Sequence, residues 1–296
     1  MKPAIRLVSL LAGILLFSAW AAPILFRSRL LPFEFEPILN RMVMVLTLSA
    51  VYFIYVRGRE RELLLFGCGG EHKGAWFLFG FGFGVLILVF MAAIEVRMGA
   101  RSFALDFTQH DVWIRTGRVL LNALAVGVFE EWFFRGFLFS SLRSAIGLRS
   151  TLWWTSFFYA FTHYIKVGNL QGGAQASFVN SLKLMAGIWS KFETPGEIFL
   201  GSVGLIIFGY TLACVVLRTG SLYAGMGLHG GLVFALAMQR HFVRPLPHAF
   251  AWLFGDMRYY NGVLGWVVLW FSGYLFCRLV SKMPWPRRPL ESVASS

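Results

Sequence analysis

Glu130, Glu131 and Arg135 fall within one short run, Glu130-Glu131-Trp132-Phe133-Phe134-Arg135, set in otherwise hydrocarbon-like sequence. An ionised group at membrane depth costs about 2.5–3.5 kcal/mol on insertion scales, so such residues are functional candidates by default. On a helix Glu131 and Arg135 are four apart and share a face, where they can form a charge-assisted pair. Glu130 lies about 100° round the axis and is left outside that pair. The asymmetry predicts a division of labour in which Glu131 and Arg135 neutralise each other and Glu130 is free to move a proton.

Two imidazoles also fall inside apolar runs: His163 in Tyr159-Ala160-Phe161-Thr162-His163, and His229 in Gly225-Met226-Gly227-Leu228-His229-Gly230-Gly231. Either alone reads equally well as an interhelical hydrogen-bonder. With Glu130 they bring a carboxylate and two imidazoles from three helices, enough to activate a water or to hold a metal such as zinc. The glycines around His229 leave room for a substrate backbone. His241 and His248 flank Arg244-Pro245-Leu246-Pro247 and read as part of a solvated loop rather than a helical metal pair. Cys68, Cys214 and Cys277 are isolated, which points to neither a disulfide framework nor a structural zinc site.

The elements that must position these groups are membrane helices. Hydrophobic residues make up 57% of the 296 and charged ones 14%, against roughly one-quarter charged in a soluble domain. Apolar runs predict spans at about 5–26, 38–56, 75–94, 116–140, 150–165, 197–217, 221–239 and 262–281, an all-α polytopic protein of about eight transmembrane helices. The fifth run is short for a span. Residues 166–193 are too polar to span and read as a loop or an interfacial helix, with an amphipathic stretch from Phe178 to Trp189. The division expected is 1–110 as N-terminal transmembrane helices, 111–282 as the membrane core that carries the chemistry, and 283–296 as a tail. Thr194, Pro195 and Glu197 form a capping box at the start of the sixth span. Gly80 and Gly84, with Gly82 between them, give the third span GxxxG spacing and so a close helix neighbour.

The formal net charge of +13 sits in short clusters between apolar runs, where Lys and Arg meet lipid phosphates, so the partners are membrane lipids and no nucleic acid is expected. Trp153-Trp154, Tyr259-Tyr260 and Trp285 fit interfacial belts. Lys2, Arg6 and the Ala19-Trp20-Ala21 site resemble a signal peptide. The apolar run continues to Phe26, which favours an uncleaved first span. Loop Lys and Arg tie between the two sides; their density at 57–61 and 278–288 favours both termini in the cytoplasm.

The run from Glu130 to Gly136 resembles the EExxxR motif of the CAAX protease and bacteriocin-processing family, also called CPBP or Abi. His163 and His229 follow in the order of that family's second motif, FxxxH, and third motif, HxxxN or HxxxD. The resemblance covers roughly 115–240. It implies an eight-helix intramembrane endopeptidase of the bacterial plasma membrane, its active site inside the helix bundle and a peptide or protein as substrate. Glu130 and His163 would activate water, His229 would stabilise the oxyanion, and Glu131 with Arg135 would hold the site together. A mechanism without bound metal is preferred; a metal, if required, would take Glu130, His163 and His229 as ligands.

Three departures from the pattern stand out. Tyr159 replaces the usual Phe of the second motif and adds a hydroxyl one turn from His163. Val233 stands where the third motif has Asn or Asp, so a hydrogen-bonding group is missing, for which Asn122 or Tyr210 could substitute. The long 166–193 connection reads as a lid or as a plain interfacial helix. Two alternatives follow from the same residues. One is a transporter or proton-relay protein, disfavoured because no inverted repeat is visible. The other is a catalytically weakened CPBP-fold scaffold or immunity protein, for which Val233 argues. Prenylated C-a-a-X tails are the substrates implied by eukaryotic relatives, with sorting signals, pheromones and leader peptides as further options.

Overall fold

The structure is a computed structural model that describes residues 3–30, 35–56, 67–68, 71–104, 112–164, 176–186, 195–247, 250–256 and 258–284. Its helices are α1 (Pro3–Arg27), α2 (Phe35–Val56), α3 (Lys73–Arg97), α4 (Val112–Glu131), α5 (Phe139–Ile146), α6 (Leu148–Thr162), α7 (Phe178–Ala186), α8 (Pro195–Thr219), α9 (Leu222–Met238), the short α10 (Ala251–Phe254) and α11 (Val263–Val280). A π-helical stretch, Trp132–Leu138, joins α4 to α5 without a break. Strands β1 (Arg101–Phe103) and β2 (Val243–Pro245) pair antiparallel, Ser102 opposite Arg244. Each of the eight predicted apolar runs contains a helix, and the amphipathic stretch from Phe178 supplies α7. Thr194, His248 and Trp285, named in the sequence analysis, lie outside the described residues.

Three of the described helices are long and apolar enough to cross a membrane, at Lys73–Arg97, Ile198–Thr219 and Val263–Val280. The distribution of polarity agrees with lipid as the solvent. Leu78, Leu86 and Phe90 on α3, Trp153, Trp154 and Phe157 on α6, and Trp270 and Phe271 on α11 all face outward, while Glu95, Arg101, Glu131, Arg135 and His229 are buried. In water that arrangement would expose a large apolar surface and bury the expensive groups.

The chain divides into two compact units. One comprises 1–61 and 163–195, and its core gathers Ala22 of α1, Phe35, Ile38 and Leu39 of α2, and Ala176 and Leu184 at α7. The other comprises 62–162 and 196–296 and is organised around α9. That helix is apolar all round and carries no charged residue, so no face of it prefers water and the interior is its stable place. Leu222 and the nine consecutive residues Ala224 to Leu232 are buried.

Glycine sets how closely α9 is gripped. A Cβ on Gly80 or Gly84 of α3 would collide with the carbonyls of Ala224 and Leu228, and one on Gly227 or Gly231 of α9 would collide with those of Phe77 and Phe81. The two backbones therefore touch along two turns, as the GxxxG spacing predicts. Gly82 faces open space. On another side of α9, Gly127 of α4 brings that helix against Met226 and Gly230. The turn from α8 into α9 is equally tight: Gly220 takes φ +63°, which favours glycine, and the Ser221 hydroxyl caps α9 by accepting from the Tyr223 amide.

At the far end of α3 a second polar cluster closes the unit. Arg101 of β1 pairs with Glu95 of α3, donates to the Asp256 carbonyl at 3.0 Å, and lies 4.2 Å over the Tyr259 ring. Arg101 is thus buried rather than turned to lipid phosphates. Tyr259 is buried under it and takes no part in an interfacial belt, whereas Trp153 and Trp154 are exposed as a belt requires. His241 is also buried, in the turn that leads from α9 into β2, which overturns its reading as part of a solvated loop. Pairing of β2 with β1 folds this segment back onto the unit, a contact between residues at least 140 apart in sequence that local polarity does not announce.

Candidate active site

The site is built where α4 passes into the π-helical stretch. Glu130 and Glu131 are the last residues of α4, and Arg135 sits in the wide turn that follows. Such bulges are frequent at functional sites, because the extra residue per turn re-aims the side chains on either side of it. Here Phe134, Arg135, Gly136 and Phe137 are all buried in succession.

The predicted pairing of Glu131 with Arg135 is present, with Nη1 of Arg135 donating to Oε1 of Glu131 at 2.9 Å and both side chains sealed from solvent. Nη2 of Arg135 donates to the Gly209 carbonyl of α8 at 3.0 Å. The guanidinium also lies 4.6 Å over the ring of Tyr159. One cation thereby ties α4, α6 and α8 together. Three hydroxyls on the buried face of α6 look after themselves: Thr151, Thr155 and Ser156 donate back to the carbonyls four residues earlier at 2.7–2.8 Å.

Glu131 does more than the sequence reading assigned to it. Its Oε1 stands 3.0 Å from Nδ1 of His229, which is buried on α9. An oxygen already accepting from Arg135 is an anionic acceptor, so Nδ1 carries the hydrogen and donates. Nε2 is then the nitrogen left for chemistry. It faces two groups, the Tyr159 hydroxyl at 3.4 Å and Oε2 of Glu130 at 3.9 Å. The Glu130 separation is too long for a direct hydrogen bond, and this oxygen has no hydrogen-bond partner among the described residues. Phe208 closes the remaining side, its ring edge-on to the imidazole at 5.4 Å.

Five of the six residues singled out from the sequence, Glu130, Glu131, Arg135, Tyr159 and His229, are thus brought together in one unit. His163 stands in the turn after α6, half-buried, and belongs to the unit of 1–61 and 163–195. Of the groups considered as substitutes for the missing polar residue at 233, Tyr210 lies tilted against the Trp153 ring at 5.6 Å and Asn122 lies on α4; the hydroxyl that stands at His229 is that of Tyr159. The glycines near His229 do not leave room for a substrate backbone. The space at Gly227 and Gly231 is taken by α3, and Gly225 lies against Oε2 of Glu131, where a Cβ would come within 3.3 Å. Among the described residues no group of three or more His, Cys, Asp or Glu side chains is placed to hold a metal ion. A mostly apolar cleft of about 530 Å³ is lined by Cys68, Lys73, Phe77, Val128, Trp132 and Met226.

Residues 112–235 match a family model described as type II CAAX prenyl endopeptidase Rce1-like. That segment belongs to the CAAX protease family. The match runs from the first residue of α4 nearly to the end of α9, so it contains the glutamate pair, Arg135, His163, His229 and Val233. No curated protein and no solved structure matches the chain. The matched segment covers less than half of the chain, and its described helices carry the glutamate pair, Arg135 and His229.

Proposed function

We propose that this protein is an intramembrane endopeptidase that hydrolyses a peptide bond of a membrane-associated or C-terminally processed protein. Eight membrane helices, with 111–282 as the catalytic core, would place it in a bacterial plasma membrane with both termini in the cytoplasm. The observation that carries the reading is the meeting of Oε2 of Glu130 with Nε2 of His229, at a distance that excludes a direct bond but lets both act on one small group. The cleft lined by Phe77, Val128, Trp132 and Met226 suits the uncharged side chains of a membrane-borne peptide.

In the proposed chemistry Glu130 takes a proton from water as the oxygen attacks the scissile carbonyl, forming the C–O bond of a tetrahedral intermediate. His229, carrying a proton on Nε2, donates to the oxyanion, and the Glu131 carboxylate at Nδ1 compensates the imidazolium charge. Collapse breaks the C–N bond, and the proton held by Glu130 passes to the departing amine. The carboxylic acid formed passes its remaining proton through Glu130 to the amine, so the products are a carboxylate and an ammonium group. His163 enters on the second motif alone, as a further imidazole assisting Glu130.

The test uses purified protein in vesicles of phosphatidylethanolamine and phosphatidylglycerol. The probe is a fluorogenic peptide ending in a C-a-a-X tail, supplied with and without a farnesyl group. Glu130→Gln is expected to lower kcat by two to four orders of magnitude, the usual weight of a general base. His229→Asn is expected to lower it by two to three, the weight of an oxyanion donor. Variants that cleave as fast as wild type overturn the proposed roles, and a wild-type protein that cleaves neither peptide overturns the substrate class.

A further inference from the structure

We propose that Tyr159 supplies, from α6, the hydrogen-bonding group that position 233 of α9 lacks, and so fixes the imidazole of His229. The inference rests on the endopeptidase reading and concerns how that site is held. Val233 is four residues after His229 and shares its face of the helix, but an isopropyl group neither donates nor accepts. His229 would then be anchored through Nδ1 alone and free to swing about the Glu131 bond. Tyr159 removes that freedom from the opposite side. Its hydroxyl stands 3.4 Å from Nε2, and its ring meets the imidazole edge-on at 5.9 Å between centroids.

The phenol is itself immobilised. It is 1% exposed, with the Arg135 guanidinium on one face and the Phe134 ring edge-on at 5.3 Å. On a further side α8 presents Gly209, where a Cβ would come within 3.2 Å of Cδ1 of the tyrosine ring. A group already locked in place makes its bond with little further loss of freedom. Polarity matches as well. With the Nδ1 hydrogen given to Glu131, neutral His229 shows a lone pair at Nε2, and a phenol O–H donates to it. When the ring takes a second proton the phenol oxygen accepts instead. At 3.4 Å the contact is longer than an ordinary hydrogen bond, as catalytic hydrogen bonds often are before substrate binds. Tyr159 is therefore a positioning residue, acting through His229 from α6 while Glu131 acts from α4.

Tyr159→Phe removes one oxygen and leaves the ring that the second motif ordinarily carries, so packing is retained. With the farnesylated peptide, kcat is expected to fall about five- to tenfold, as for one neutral hydrogen bond, with KM unchanged within about twofold. Val233→Asn alone should change kcat by no more than about twofold, and in the Tyr159→Phe background it should recover most of the loss. A Tyr159→Phe variant with wild-type kcat, or a Val233→Asn effect of equal size in both backgrounds, overturns the proposal. A second readout needs no turnover. In protein labelled with 15N-histidine, the Nε2 resonance that His229→Asn removes should shift on Tyr159→Phe, and an unmoved resonance overturns the proposal. If wild-type protein cleaves neither peptide, the C-a-a-X substrate class fails while the spectrum still decides the role of Tyr159.

Discussion

Substituting Arg135 by Met keeps the length of an apolar stem and deletes only the guanidinium, which makes it a direct probe of the pair at the centre of the site. Wild-type Arg135 gives Nη1 to Glu131 at 2.9 Å and Nη2 to Gly209 at 3.0 Å, and it covers the Tyr159 ring. Removing one member of a buried ion pair costs about 3–5 kcal/mol, because the other charge is left desolvated. Loss of a desolvated cation–π contact adds about 1–2 kcal/mol. These terms overlap, so a destabilisation of about 4–6 kcal/mol is expected for Arg135→Met. Glu131→Gln keeps an acceptor for Nδ1 of His229 and strands the guanidinium, at about 3–5 kcal/mol. The double variant strands neither charge and should lose only about 1–2 kcal/mol, so the two effects are strongly non-additive. Unfolding in mixed micelles titrated with dodecyl sulfate and followed by tryptophan fluorescence measures all three. A double variant that loses the sum of the single losses refutes the coupling, and an Arg135→Met protein within about 1 kcal/mol of wild type refutes the pair's structural role.

Gly84→Ala and Gly227→Ala should each lower stability by more than about 2 kcal/mol in the same assay, because the new methyl meets backbone carbonyls that cannot swing aside, whereas Gly82→Ala should be nearly neutral. Arg101→Ala should raise hydrogen exchange of the amides in 258–262 while exchange in α9 around His229 stays slow, since Arg101 ties β1 to that loop through Asp256 and Tyr259. Peptide cleavage is expected to survive treatment with phenanthroline; loss of activity restored by zinc would instead assign a metal to Glu130, His163 and His229. Burial pushes the Tyr259 phenol up to about 12, with Arg101 partly opposing the shift. A folded-state value raised over the ordinary 10 means a stabilising contribution that is complete at pH values under 10 and is lost as the pH climbs from 10 towards 12. Tyr259→Phe should remove this part of the alkaline loss of stability in dodecylmaltoside.

Hydropathy carries the helices of this chain well, because lipid selects runs of apolar residues whose ends are marked by charge. The 75–94 run became Lys73–Arg97 and the 262–281 run became Val263–Val280, and Gly80 and Gly84 announced their neighbour by spacing alone. Hydropathy is blind to what depends on phase or distance. Residues 132–138 are as apolar in a π-helix as in an α-helix, so the widened turn under Arg135 leaves no mark in composition. Glu95 was hidden at the edge of its run, where the turn at 98–100 brings Arg101 back onto it. The same holds for the site. Spacing four apart was enough to join Glu131 to Arg135, but the second duty of Glu131, holding Nδ1 of His229, spans 98 residues and required the fold. Glycines near a histidine suggest open space equally whether a substrate or another helix fills it, and here it is α3.

The contact of α9 with α3 and α4 through glycine also fixes which walls of the site can yield. Where two backbones touch, no rotamer can turn to relieve an applied load, so the three helices behave as a single strut, and the histidine mounted on it keeps its station. The opposite wall is differently made. Tyr159, Phe208 and Phe134 fill it with aromatic side chains, of which Tyr159 is held between the Arg135 guanidinium and Gly209. A load on that wall would be taken up by aromatic rings packed on one another, and a load on the other by touching backbones.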